Sequence, residues 1–397
     1  MIKRKLRLFL LTVASLTILS CHATVTGESK MIKQIDENFE FARKQYLGMV
    51  ANMENKNRVP RSVKPDGSTY FVKPLDWTSG FFGGSLFYIY EVTRDEEIKK
   101  NAIHFTEYIA EQQWDSTQHD TGFQIFCSYG NGLRLLGTEE YKNVIYNTSN
   151  TLCYRYNETI GAIRSWDFGD WDFPVIIDNM MNLEMLYWAG KNLNEPRFID
   201  IANRHAMVTM ENHFRDDYSS VHVVDYCQQT GGVHGTQTFQ GLHDHSAWSR
   251  GQAWGLYGYV MSYRETGKKE FLDHAEKIAA LIISKLPNDY IPFWDFDLPS
   301  TNGEPKDASS AAVTASALIE LYQFTQNQEY KRIATEMLKE LMSPNYRAEL
   351  GKDNWFLLKH STGHYSQKSE IDTPINYADY YFLEAMLRYK KAFGSKA

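Results

Sequence analysis

Cysteine is scarce in this sequence, with four residues in 397. No two form a C-x-x-C pair, so neither a disulfide framework nor a zinc-ribbon spacing is present. Phosphate-binding signatures are missing as well. There is no G-x-G-x-x-G strand–turn–helix unit, no P-loop and no G-x-S-x-G elbow, which removes the usual dinucleotide, nucleotide and serine-hydrolase readings. "GFFGGS" (80–85) has glycines but reads as close helix packing. Basic charge is in deficit, with 42 Lys and Arg against 49 Asp and Glu. That balance disfavours nucleic acid or an anionic membrane as a partner. "HDH" (243–245) has no second acid–His cluster at ligand spacing, so the expected metal and cofactor content is none.

The only long apolar run stands at the start. "MIKRKLR" is basic, "LFLLTVASLTILS" is apolar and too short for a permanent membrane span, and Cys21 follows directly. "ILSC" resembles a bacterial lipobox, in which the cysteine becomes the lipidated N-terminus. The expectation is an exported protein, with residues 1–20 a signal peptide and 21–30 a tether. It would sit in the periplasm or on the outer membrane of a Gram-negative bacterium. A lipid on Cys21 would be its one membrane contact. Removal of residues 1–20 leaves 38 basic against 49 acidic side chains.

What is abundant is aromatic, at 14% of the chain. Such an excess serves a core, and it also serves a sugar cleft, where ring faces stack on pyranose C–H faces. Residues 31–397 read as one all-α domain. Five amphipathic helices follow similar turns, with first large apolar anchors at Ile98, Tyr141, Phe198, Phe271 and Tyr330. Before each comes a helix that is apolar nearly all round, and so buried on all sides. A sixth apolar helix, "YADYYFLEAMLRYKK", closes the chain, and residues 31–54 supply the first outer partner. Six inner helices alternating with six outer ones predict an (α/α)6 barrel, with short β pieces such as 219–229 in the rim loops.

Polar groups collect at the starts of the inner helices. "VIIDNMMNLEML" (175–186) places Asp178 and Asn182 on one face of a predicted helix. "QHDTGF" places His119 and Asp120 before another, where Asp120 is suited to an N-cap. "HDHSAWSRGQAW" brings Trp248, Arg250 and Trp254 to a third. If these starts converge on one mouth, two carboxyls, an arginine, histidines and tryptophans share a pocket. That set suits acid catalysis on a sugar, with Arg250 available to a substrate carboxylate.

Taken in order, "LDWTSGFFGGSLFYIYEVTRDE", "HDTGF", "IIDNMMNLEML", "HVVDY", "GLHDHSAWSRGQAWGLYGY", "IPFWDFDLP", "KDASSAAVTASALIEL" and "NYADYYFLEAMLR" resemble the unsaturated glucuronyl hydrolases of glycoside hydrolase family 88. The resemblance runs from about residue 31 and implies an (α/α)6 barrel. It implies a partner class, acidic oligosaccharides made by polysaccharide lyases, which carry a 4,5-unsaturated uronic acid at the non-reducing end. Asp178 matches the family's general acid/base and Asp120 its second essential acid. His222, Gln240, Arg250 and Trp254 match substrate-cleft positions, as do Trp77 and Trp166. Ser361, Ser366 and Ser369 are alternatives for a contact to the substrate carboxylate. The mechanism implied is protonation of C4 by Asp178, with the charge of Asp120 raising the proton affinity of that acid. Two other readings compete: an inverting glycosidase acting on saturated glycosides, and a lipoprotein that only captures glycans. An acid inside an apolar helix favours an enzyme.

Overall fold

A computed structural model describes the backbone of residues 2–394 and the side chains of residues 27–394. The expected signal peptide (1–20), Cys21 and most of the 21–30 tether therefore lie outside the residues whose side chains are described. Outer and inner helices alternate along the chain. Outer α1 (Ile2–Ala51) precedes inner α2 (Ser79–Thr93). Outer α3 (Glu96–Glu107) precedes a π-helical segment (Gly122–Gly130) that continues into inner α4 (Asn131–Leu136). Then come outer α5 (Glu139–Cys153) and inner α6 (Leu183–Asn192), outer α7 (Pro196–Asn212) and inner α8 (Ser249–Thr266). Outer α9 (Lys269–Lys285), inner α10 (Ala308–Thr325), outer α11 (Gln328–Leu341) and inner α12 (Asn376–Phe393) complete the set.

The inner elements touch in sequence: α2 meets the π-helix, the π-helix meets α6, then α8, α10, α12 and back to α2. The ring closes, and the fold is an (α/α)6 barrel. Burial explains the two helix classes. Every residue of α10 from Ala308 to Leu321 is buried, whereas α9 buries only Phe271, His274, Ala275, Ile278, Ala279 and Ile282. The five outer anchors named above are all buried. Small residues bring inner helices close. A Cβ on Gly84 would lie 2.3 Å from the Cys127 carbonyl oxygen, and one on Gly80 would lie 2.0 Å from that of Gln124. The "GFFGGS" glycines are therefore packing residues.

Short strands form the rim. β1 (Val59–Val63) pairs with β2 (Thr69–Val72), and β3 (Tyr156–Asn157) with β4 (Ala162–Ile163). β5 (Pro174–Ile176), β6 (Val223–Tyr226) and β7 (Val233–Gln237) make an antiparallel sheet in that order. The sheet corrects one expectation. "VIIDNMMNLEML" is not a single helix. Val175 pairs with Val224 and Ile176 with Val223, then Ile177–Met181 form a 3₁₀ turn, and α6 begins at Leu183. The β-branched Val-Ile-Ile run takes the extended state once a partner strand is present.

Candidate active site

Asp178 sits in the 3₁₀ turn that carries the chain from β5 into α6. Asn182 is not on a shared helical face with it. Its Oδ1 accepts the Phe123 amide at 2.9 Å, which ties this turn to the π-helix behind Asp120. Asp120 precedes that π-helix but does not cap it: the residue at the cap position is Thr121, and no side chain caps there. The Asp120 carboxylate instead lies 3.3 Å from His119 Nε2. The N-cap expectation is thus replaced by a carboxyl turned toward the barrel mouth.

Both acids line one cleft of about 420 Å³, within the range of small-ligand sites. Trp77, Trp166, Phe168, Phe239 and Tyr377 form its aromatic walls, and Arg61, Gln240 and His364 its polar edge. The Trp166 and Phe168 rings stack at 4.9 Å, and Phe239 packs 5.1 Å from Trp166. A wider hollow of about 1090 Å³ lies elsewhere on the surface, between Asp289, Lys306, Tyr346 and His360. Its polar contacts include the Lys306–Asp289 ion pair and the His360–Asp372 contact.

Both acids of the first cleft hold their protons more tightly than a free carboxyl. Asp178 is 7% exposed, and burial pushes its carboxyl up to about 7. The Arg250 charge, a backbone N–H and the Trp254 indole pull the other way. Burial holds Asp120 well above the carboxylate range, and the neighbouring Asp178 charge is the second cause. Coupling between two neighbouring carboxyls is mutual, and burial is the first cause of the shift at each.

Two histidines stand behind the acids. His222 Nδ1 accepts the amides of Phe239 and Gln240, both at 3.1 Å. Its proton therefore resides on Nε2, 3.7 Å from Asp178 Oδ2. That Oδ2 has no hydrogen-bond partner in the protein. Burial drives both His222 and His119 down, His119 to about 3, so both rings are neutral.

Of the residues expected at the site, Asp120, Asp178, Trp77, Trp166 and Gln240 line the cleft. His119, His222, Trp248, Arg250 and Trp254 are buried in the layer behind it. Arg250 departs from expectation. Its guanidinium is 1% exposed, pairs with Asp307 at 2.9 Å, and donates to the Thr362 and Gly363 carbonyls. Nη1 serves Asp307 and Thr362 and Nη2 gives one bond to Gly363, so the side chain holds the 362–364 loop in place. Sequence reading missed Arg61, Phe168, Phe239, His364 and Tyr377. Of these, Phe168 and Phe239 carry a local signal, standing two residues from Trp166 and next to Gln240. Near the C-terminus the cleft is lined by Gly363 and His364; Ser361 is fully buried, and Ser366 donates to the Phe239 carbonyl.

Comparison with known proteins places this geometry. The family model "Glycosyl Hydrolase Family 88" matches residues 50–288. An unsaturated glucuronyl hydrolase of Formosa agariphila is 41% identical over 97% of this chain and 98% of its own. A solved unsaturated glucuronyl hydrolase described as specific for heparin is 48% identical, with a TM-score of 0.89 over 90% of this chain and 97% of that one. The solved enzyme of Bacillus sp. GL1 is 26% identical, with a TM-score of 0.83 over 90% of this chain and all of that one. The barrel, the cleft and these matches agree, and the chain belongs to glycoside hydrolase family 88.

Proposed function

We propose that this protein removes a 4,5-unsaturated uronic acid from the non-reducing end of lyase-generated oligosaccharides. The observation that carries the reading is Asp178, a buried carboxyl raised to about 7, with one oxygen unpartnered, in an aromatic-walled cleft. A carboxyl in that state holds a proton near neutral pH and has a free atom from which to give it. The protonated Asp178 donates to C4 of the enol ether. Positive charge develops at C5 and the ring oxygen. Water adds at C5 as the Asp178 carboxylate takes its proton back, and the resulting hemiketal opens and releases the reducing-side sugar. Asp120 binds sugar hydroxyls. His222 and Trp254 orient the Asp178 carboxyl, and Trp77 and Trp166 stack the sugar rings.

The experiment is a panel of unsaturated disaccharides differing in linkage and sulfation, followed by loss of their ultraviolet absorbance. A saturated chromogenic uronide runs beside them. The expected result is loss of absorbance with at least one unsaturated substrate and no release from the saturated one. Cleavage of the saturated glycoside alone would establish an ordinary inverting glycosidase, and binding without turnover a glycan-capture protein. The basic start, apolar run and "ILSC" support export and lipidation of Cys21, which would place the enzyme where extracellular lyase products enter. Acyl labelling of the wild type that persists in Cys21→Ser would overturn that part.

A further inference from the structure

The β5–β6–β7 sheet has two ends. One faces the cleft: Asp178 follows β5, His222 precedes β6, and Gln240 follows β7. At the other end, the residue two positions before β5 and the β6–β7 hairpin bring together Asp172, Cys227 and His234. One ligand atom from each lies within 4.8 Å of the other two. Among the described residues, this is the only such trio of His, Cys, Asp or Glu groups. It escapes sequence reading because Asp172 is 55 residues from Cys227 and meets it only through strand pairing.

From this juxtaposition we infer that Asp172, Cys227 and His234 form a binding site for a thiophilic divalent ion of the zinc class. Thiolate, imidazole and carboxylate are the three donor types Zn²⁺ takes, with a water completing a tetrahedron. His234 is half-exposed, so its ring has room to turn toward an ion held by bonds of about 2.0–2.3 Å. The frame around the site is firm. Gln228 donates to both Asp172 oxygens, from its amide at 3.0 Å and its side chain at 2.7 Å, and each oxygen keeps a further lone pair. Gly231, at φ +74°, packs the hairpin turn against the Thr159 carbonyl, where a Cβ would lie 2.7 Å away. Asp225 Oδ2 stands 3.6 Å from His234 Nδ1, close enough to orient the ring.

The thiol is suited to the part. Cys227 Sγ donates to the exposed Gln229 Oε1 at 3.2 Å, a bond it can exchange for one to the metal. On binding, the Cys227 proton leaves to solvent and the thiolate forms the metal bond. The ion would clamp the hairpin to the strand leading into Asp178 and brace the sheet from the end away from the cleft. It takes no part in the proposed chemistry.

Co²⁺ titration of the full-length protein tests the site, because a cobalt–thiolate bond has its own near-ultraviolet charge-transfer band. The expected result is saturation at one Co²⁺ per chain, loss of the band in Cys227→Ser, and weaker Co²⁺ binding in His234→Ala. Zn²⁺ should displace the cobalt. His234 is half-exposed, so its substitution leaves the fold intact, and far-ultraviolet circular dichroism checks both variants. Absence of a charge-transfer band, or an unchanged band in Cys227→Ser, would overturn the assignment. So would equal Co²⁺ affinity in His234→Ala.

Discussion

Asp178→Asn is expected to lose roughly 10²–10⁴-fold in kcat, the range of a single general acid, while its melting temperature holds or rises. The two effects have one cause. Burial raises the wild-type carboxyl from 3.8 to about 7, so folding favours its protonated form. The stability it contributes is fully present below pH 3.8 and is lost as pH rises through about 7. An amide carries no such penalty. The stability gain of Asp178→Asn over the wild type should therefore be larger at pH 8 than at pH 5. Wild-type activity should fall as pH rises through about 7, since the donor must hold its proton. Thermal melts and pH–rate profiles of the two proteins check this. Retained activity in Asp178→Asn would sink the acid assignment.

Arg250→Met should have the largest effect on stability, a loss of about 3–5 kcal/mol. It leaves the fully buried Asp307 carboxylate without its ion-pair partner and the Thr362 and Gly363 carbonyls without their donor. Asp307 also caps α10 by accepting the Ser309 amide at 3.0 Å. Asp307→Asn can keep that cap without the charge, so Arg250→Met/Asp307→Asn should recover part of the loss, a coupling that a double-mutant cycle reads directly. Activity should fall in Arg250→Met as well, because Gly363 and His364 line the cleft and the 362–364 loop loses its tether. A variant as stable as the wild type would show that the buried pair is not what holds this loop.

The barrel was legible because helix class is written in side-chain periodicity. Ile98, Phe198 and Phe271 mark faces that need a partner, and the all-round apolar inner helices mark the ring that supplies it. Asp178 was legible for a related reason: a carboxyl within an apolar run is costly to bury unless it has a partner or a chemical role. Its local structure was not legible. Whether Val-Ile-Ile starts a helix or a strand depends on β6, about 50 residues away. The same limit applies to Arg250. The sequence shows an arginine near an inner-helix start, but not that Asp307 on the next inner helix will claim it. His364 and Tyr377 reach the cleft from segments whose convergence is tertiary, so no local pattern marks them.

The central claim is that Asp178 protonates carbon, not the glycosidic oxygen. Turnover of an unsaturated disaccharide in D₂O, followed by NMR, tests it most directly. Protonation at C4 predicts one deuterium bonded to C4 of the released uronate product, in step with the loss of absorbance. Sugar release with the C4=C5 bond intact and no deuterium on carbon would contradict it.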